Sequence, residues 1–72
     1  MHFAKEHRYK HFLITIYETE NGLFRALISR ADAQQIKTID GGSYADIPTN
    51  LYDAAEQATE EARRMIDGGG MS

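Results

Sequence analysis

The chain contains no cysteine, so neither a disulfide nor a thiolate metal site can hold it together. It has no apolar run near the ~18 residues that a membrane span needs. Its opening residues, MHFAKEHRYK, lack the apolar stretch of a signal peptide. These absences lead to the expectation of a cytoplasmic protein with no membrane partner. An excess of positive charge is missing too: the net charge is −3, which speaks against a dedicated nucleic-acid binder. No serine stands in a Gly-x-Ser-x-Gly setting, and no ordered His/Asp partner can be proposed for Ser29, Ser43 or Ser72.

What is present has an ordinary globular balance, 42% hydrophobic and 26% charged, rather than a disordered one. Seventy-two residues allow one domain. A core of that size rarely supplies more than about 3–5 kcal/mol of net stability without help. Burial against a second copy is the help still open to a chain without disulfides, so a homodimer is expected.

The charge is unevenly spread. His2, Lys5, His7, Arg8, Lys10 and His11 face a single acid, Glu6, near the N-terminus. Asp53, Glu56, Glu60, Glu61 and Asp67 outnumber Arg63 and Arg64 further on. A sheet surface near the N-terminus could therefore still meet an anion, although terminal charges commonly serve solubility alone.

Residues 1–8 show no period and are expected to form a flexible N-terminus. From Tyr9 the run YKHFLITIY is rich in β-branched and aromatic residues and reads as a strand. Phe12, Ile14 and Ile16 share its core face; Tyr9, His11, Leu13, Thr15 and Tyr17 share the other. Asn21-Gly22 signals a hairpin turn, because both residues tolerate positive φ. The second strand, residues 23–30, turns Phe24, Ala26 and Ile28 inward and Arg25, Leu27 and Ser29 outward. A short third strand covers residues 36–39, stopped by Asp40-Gly41-Gly42-Ser43. Residues 44–48 read either as a brief fourth strand or as a loop.

Residues 50–67 carry the strongest pattern. Leu51, Ala55, Ala58, Ala62, Met65 and Ile66 recur at helical spacing, with acids and arginines opposite. Pro48 disfavours helix at Ile47, Thr49 or Asn50 is placed to cap, and Asp53 puts negative charge in the first turn. Gly68 suits the position just past the helix, and residues 68–72 read as a flexible tail. The expected class is α+β: a single β-β-β-α domain over residues 9–67, a three-stranded antiparallel sheet packed on one C-terminal helix.

Chemistry is thinly represented. His7 and His11 are four apart but lie where strand character begins, with no third ligand at a recognisable spacing. Asp53, Glu56 and Glu60 sit on a solvated stripe without a pocket to shift them. Gly41-Gly42-Ser43 reads as a turn rather than a phosphate cradle. No enzyme, catalytic residue, metal or cofactor is expected. The open sheet face is richer: Tyr9, His11, Leu13, Tyr17, Arg25 and Leu27, with Lys37 from the third strand, form an apolar centre with a polar rim. Such a face can dimerise, stack nucleic-acid bases on its tyrosines with Arg25 on phosphate, or simply be solvated. A protein partner or homodimer is favoured over nucleic acid.

Two stretches, FLITIYETENGLFRALI (residues 12–28) and TNLYDAAEQATEEARRMID (residues 49–67), resemble the N-terminal domain of HicB-type antitoxins. The shared features are a strand, an acidic-Asn-Gly turn, a strand with an aromatic and Ala, and a Thr-led helix with Ala periodicity. The family's Pro-rich approach to the helix appears here as Ile47-Pro48-Thr49. The resemblance implies a partner-binding module. The element order also resembles the plant ethylene-response type of DNA-binding domain, which would imply contacts from Arg25 and Lys37.

Overall fold

The computed structural model describes residues 2–72. The chain runs β1 (His2–Tyr9), β2 (Phe12–Glu18), β3 (Phe24–Arg30), β4 (Ile36–Lys37), β5 (Ser43–Tyr44), β6 (Ile47–Pro48) and α1 (Ala55–Asp67). β1, β2, β3 and β6 form one antiparallel four-stranded sheet in that order, and β4 and β5 form a separate two-stranded hairpin. No helix among the described residues is long and apolar enough to cross a membrane.

The class is α+β with one C-terminal helix, as the sequence pattern predicts, but the sheet is built differently. Residues 36–39, expected as its third strand, contribute Ile36 and Lys37 to the small hairpin instead. The places beside β2 and β3 go to β1 and β6. Residues 2–8, expected to be loose, pair with β2 from His2↔Glu18 to Tyr9↔Phe12, with an irregularity between Phe3 and Lys5. The turn between these strands is two residues long, Lys10 and His11, and Lys10 takes a φ of 56°. A lysine in the left-handed region gives no Gly or Asn signal, which is why the sequence reads as one strand through Tyr9–Phe12.

The β2–β3 hairpin forms where Asn21-Gly22 predicts it. Its loop is five residues, closed by Thr19 N–H to Leu23 O at 2.7 Å and Gly22 N–H to Thr19 O at 3.0 Å. Gly22 alone carries positive φ there, 79°.

Phe12, Ile14 and Ile16 from β2, Ala26 and Ile28 from β3, Ile36 from β4, and Ala58, Ala62 and Ile66 from α1 make the core. Ala58 and Ala62 are fully buried, so the helix axis lies close over β2 and β3 while the isoleucines fill the space from below. The helix starts later than its sequence pattern suggests. Leu51 is 43% exposed and outside it, and Ala54 is the N-cap residue with no side-chain hydrogen bond. Thr49 is used elsewhere: its backbone N–H donates to Ala26 O, and its Oγ1 accepts from Ala26 N–H at 3.0 Å. Glu56, not Asp53, supplies the acid of the first turn. At the other end Gly68 stays helical and Gly69 takes the left-handed conformation, φ 76°.

Residues 68–72, expected as a flexible tail, return to the body. Lys37 and Ser72 exchange backbone hydrogen bonds of 2.8 and 2.9 Å, Thr38 and Met71 form a bridge, and Met71 packs on the core. Glycines give this segment the freedom to turn; backbone pairing gives it somewhere to go.

Candidate interaction face

Residues directly opposite one another in an antiparallel ladder point to the same side of the sheet. Ile14↔Ile28 and Ile16↔Ala26 face the helix, so the intervening pairs Leu13↔Ser29, Thr15↔Leu27 and Tyr17↔Arg25 face away from it. Four of the residues expected on the open face, Leu13, Tyr17, Arg25 and Leu27, are brought together there. Pro48 lies beside Leu27 from β6.

Three others lie elsewhere. Tyr9 pairs with buried Phe12 and so turns to the helix side. Its hydroxyl donates to Asp67 at 2.9 Å, and the Lys10 amine and Arg63 guanidinium lie 5.3 and 5.7 Å from its ring centre. Lys10 donates to the same carboxylate, which holds the Asp67 carboxyl below its ordinary value, with Tyr9 assisting. The Asp67 carboxylate in turn raises the Tyr9 phenol. Tyr9 is thus a clamp between strand and helix rather than a stacking platform. His11 sits exposed in the turn after Lys10. Lys37 is on the separate hairpin, its amine 3.2 Å from Ser43 Oγ. Tyr9 and His11 are misplaced because the sequence shows no turn at Lys10, and Lys37 because the sequence does not reveal which strand Ile36–Lys37 will pair with.

β1 adds residues that periodicity does not disclose. Phe3 pairs with Tyr17, Glu6 with Thr15, and Arg8 with Leu13, so all three join the open face. Phe3 is 62% exposed, and its ring stands against that of Tyr17 at 6.2 Å and 75°, an edge-to-face contact. The irregularity between Phe3 and Lys5 is what puts both Phe3 and Arg8 on one side despite their odd spacing. The only hint in the sequence is a large aromatic in an otherwise charged segment.

The face therefore reads, across the strands, Phe3–Tyr17–Arg25 at one end, Glu6–Thr15–Leu27–Pro48 in the middle and Arg8–Leu13–Ser29 at the other. Arg25 is anchored by Nε–H donating to Thr49 O at 3.1 Å. Past Leu13 and Ser29 the surface dips into a hollow of about 490 Å³ walled by Ala33, Gln34 and Ala45. On the helix side a smaller cleft of about 160 Å³ separates Lys5 and His7 of β1 from Glu56, Glu60 and Arg63 of α1. No cluster of three or more His, Cys, Asp or Glu side chains suited to a metal occurs among the described residues.

Comparison with known proteins gives no significant match to a family model, a curated protein or a solved structure.

Proposed function

We propose that the chain is a small non-catalytic, cytoplasmic protein-interaction module, antitoxin-like in its use of a sheet and one helix, that self-associates through its open sheet face. The observation that carries this reading is the strip of exposed Phe3 and half-buried Tyr17, Leu13 and Leu27, with Arg8 and Arg25 at its ends. A one-helix sheet leaves this strip without a cover, and an apolar centre with a charged rim is the usual make-up of an interface.

The proposed occupant is a second copy, and the face is of modest size. Seven-residue strands at ~3.4 Å per residue and three or four strands at ~4.8 Å give a patch of about 24 by 14–19 Å. That is below the ~800 Å² per partner of a standard interface, so the association belongs to the weak, reversible class. Heteronuclear NMR spectra recorded over a dilution series test it. Amides of Leu13, Thr15, Tyr17, Arg25 and Leu27 should shift together with concentration while those on the outer helix surface stay fixed. Invariant spectra would contradict the reading.

Nucleic-acid binding is the second reading, favoured by the exposed ring of Phe3 and the half-buried ring of Tyr17 beside Arg8 and Arg25, a stacking arrangement with cations at hand. Glu6 on the same face and the net charge of −3 oppose it. Mobility shifts with mixed single-stranded RNA and DNA separate the two, since phosphate contacts strengthen as salt is lowered. No shift at low salt removes this second reading.

A further inference from the structure

β1 is an edge strand: β2 lies on one side, and no strand pairs with the other among the described residues. An uncovered edge of this length is a template for another strand. We propose that it pairs with the β1 edge of a second copy, antiparallel, about a two-fold axis passing through His7.

The register follows from the side chains. Beyond the irregularity, Glu6 and Arg8 point to the open face and Lys5, His7 and Tyr9 to the helix side. Opposed residues must share a face, so a two-fold axis perpendicular to the sheet passes through a residue and not between two. Centring on Lys5, Glu6 or Arg8 sets each of these charges against its own copy, which destabilises a ladder. Centring on Tyr9 runs the pairing into the Lys10–His11 turn. Centring on His7 sets Glu6 opposite Arg8 of the second copy, twice, and Lys5 opposite Tyr9 of the second copy, twice. The charges of this edge therefore select one alignment out of five.

Charged side chains on an edge often keep it unpaired. Here they are of both signs, two residues apart on one face, which is self-complementary rather than self-repelling. The irregularity between Phe3 and Lys5 ends the flat stretch, and the opposite edge of the sheet, β6, is only two residues long. Pairing thus closes as a dimer instead of propagating. The axis stands perpendicular to the sheet and leaves the open face uncovered, so this contact is independent of face-to-face association.

The absence of cysteine makes the test clean. Directly opposed Cβ atoms lie ~4.5–5.5 Å apart, close to disulfide reach, whereas diagonal neighbours lie at ~7–8 Å. His7→Cys should cross-link to a dimer under mild oxidation. Glu6→Cys alone and Arg8→Cys alone should not, and a mixture of the two should give the heterodimer. In the His7→Cys background, Glu6→Arg or Arg8→Glu should slow cross-linking, the two together should restore it, and Leu27→Glu should leave it unchanged. Cross-linking of His7→Cys no faster than of Ser43→Cys on the distant hairpin would overturn the proposal, as would failure of the charge swap to restore it.

Discussion

The hydroxyl of Tyr9 reaches both carboxylate oxygens of Asp67, at 3.0 and 2.9 Å, and so ties the last residue of β1 to the last residue of α1 across 58 positions of sequence. This contact fixes the end of an edge strand that the helix does not cover. Tyr9→Phe keeps the ring beside Lys10 and Arg63 and removes only the hydrogen bond. The expected result is faster amide exchange around the Lys10 turn with little change in melting temperature, because the contact is exposed and local.

Acid should destabilise the fold through three carboxylates, one of them Asp40, held below its ordinary value by the Thr38 hydroxyl and the Gly42 N–H. The Arg30 guanidinium, with help from the Gln34 backbone N–H, lowers the Asp32 carboxyl from 3.8 to about 2, and Lys10 and Tyr9 lower that of Asp67. A folded-state pKa below the unfolded one means stability that is present above pH 3.8 and lost as pH falls through about 2. Thermal melts at pH 5, 3 and 2 should show the decline, and the Asp32→Asn, Asp67→Asn double variant should have a flatter acid limb. The exposure of these sites keeps the effect modest.

Thr49 is 4% exposed, and its hydroxyl accepts from Ala26 N–H at 3.0 Å while donating to Asn50 O at 2.9 Å. Thr49→Val leaves the Ala26 donor without this partner and should cost about 1–3 kcal/mol in urea unfolding. Thr49→Ser keeps the hydroxyl and loses one methyl, for about 1 kcal/mol or less. Equal losses in the two variants would mean that packing, not the hydrogen bond, sets the value of this site.

The fully buried Ala58 predicts a penalty for bulk. Ala58→Leu forces the helix off β2 and β3 and should lower stability by about 1–3 kcal/mol, read as a fall in melting temperature. Ala→Leu at a spacer position is informative because helix propensity barely changes.

The elements legible in the sequence are those whose side chains sort by burial. β2 and β3 alternate because the helix covers one of their faces, and α1 shows its stripe because Ala58, Ala62 and Ile66 all meet the sheet. Leu13, Tyr17, Arg25 and Leu27 followed from that alternation and do lie together. β1 was not legible: it extends beyond the helix, is held by backbone pairing to β2, and needs no apolar face. Phe3 and Arg8 were hidden with it. Ile36 shows its burial but not its partner, since a two-residue strand carries no register information. Thr49 has the chemistry of both a cap and a strand residue, and only the ladder beside Ala26 decides between them.

The open face, around Leu13, Tyr17 and Leu27, is the surface proposed to meet a second copy of the chain. Sedimentation equilibrium of the wild type and of Leu27→Glu decides it. The wild type should associate as its concentration rises, and Leu27→Glu, with helix content unchanged, should form an assembly of half that mass or less. A wild type that stays monomeric up to about 1 mM, beyond the range of weak specific association, or a Leu27→Glu variant of unchanged mass, would contradict it.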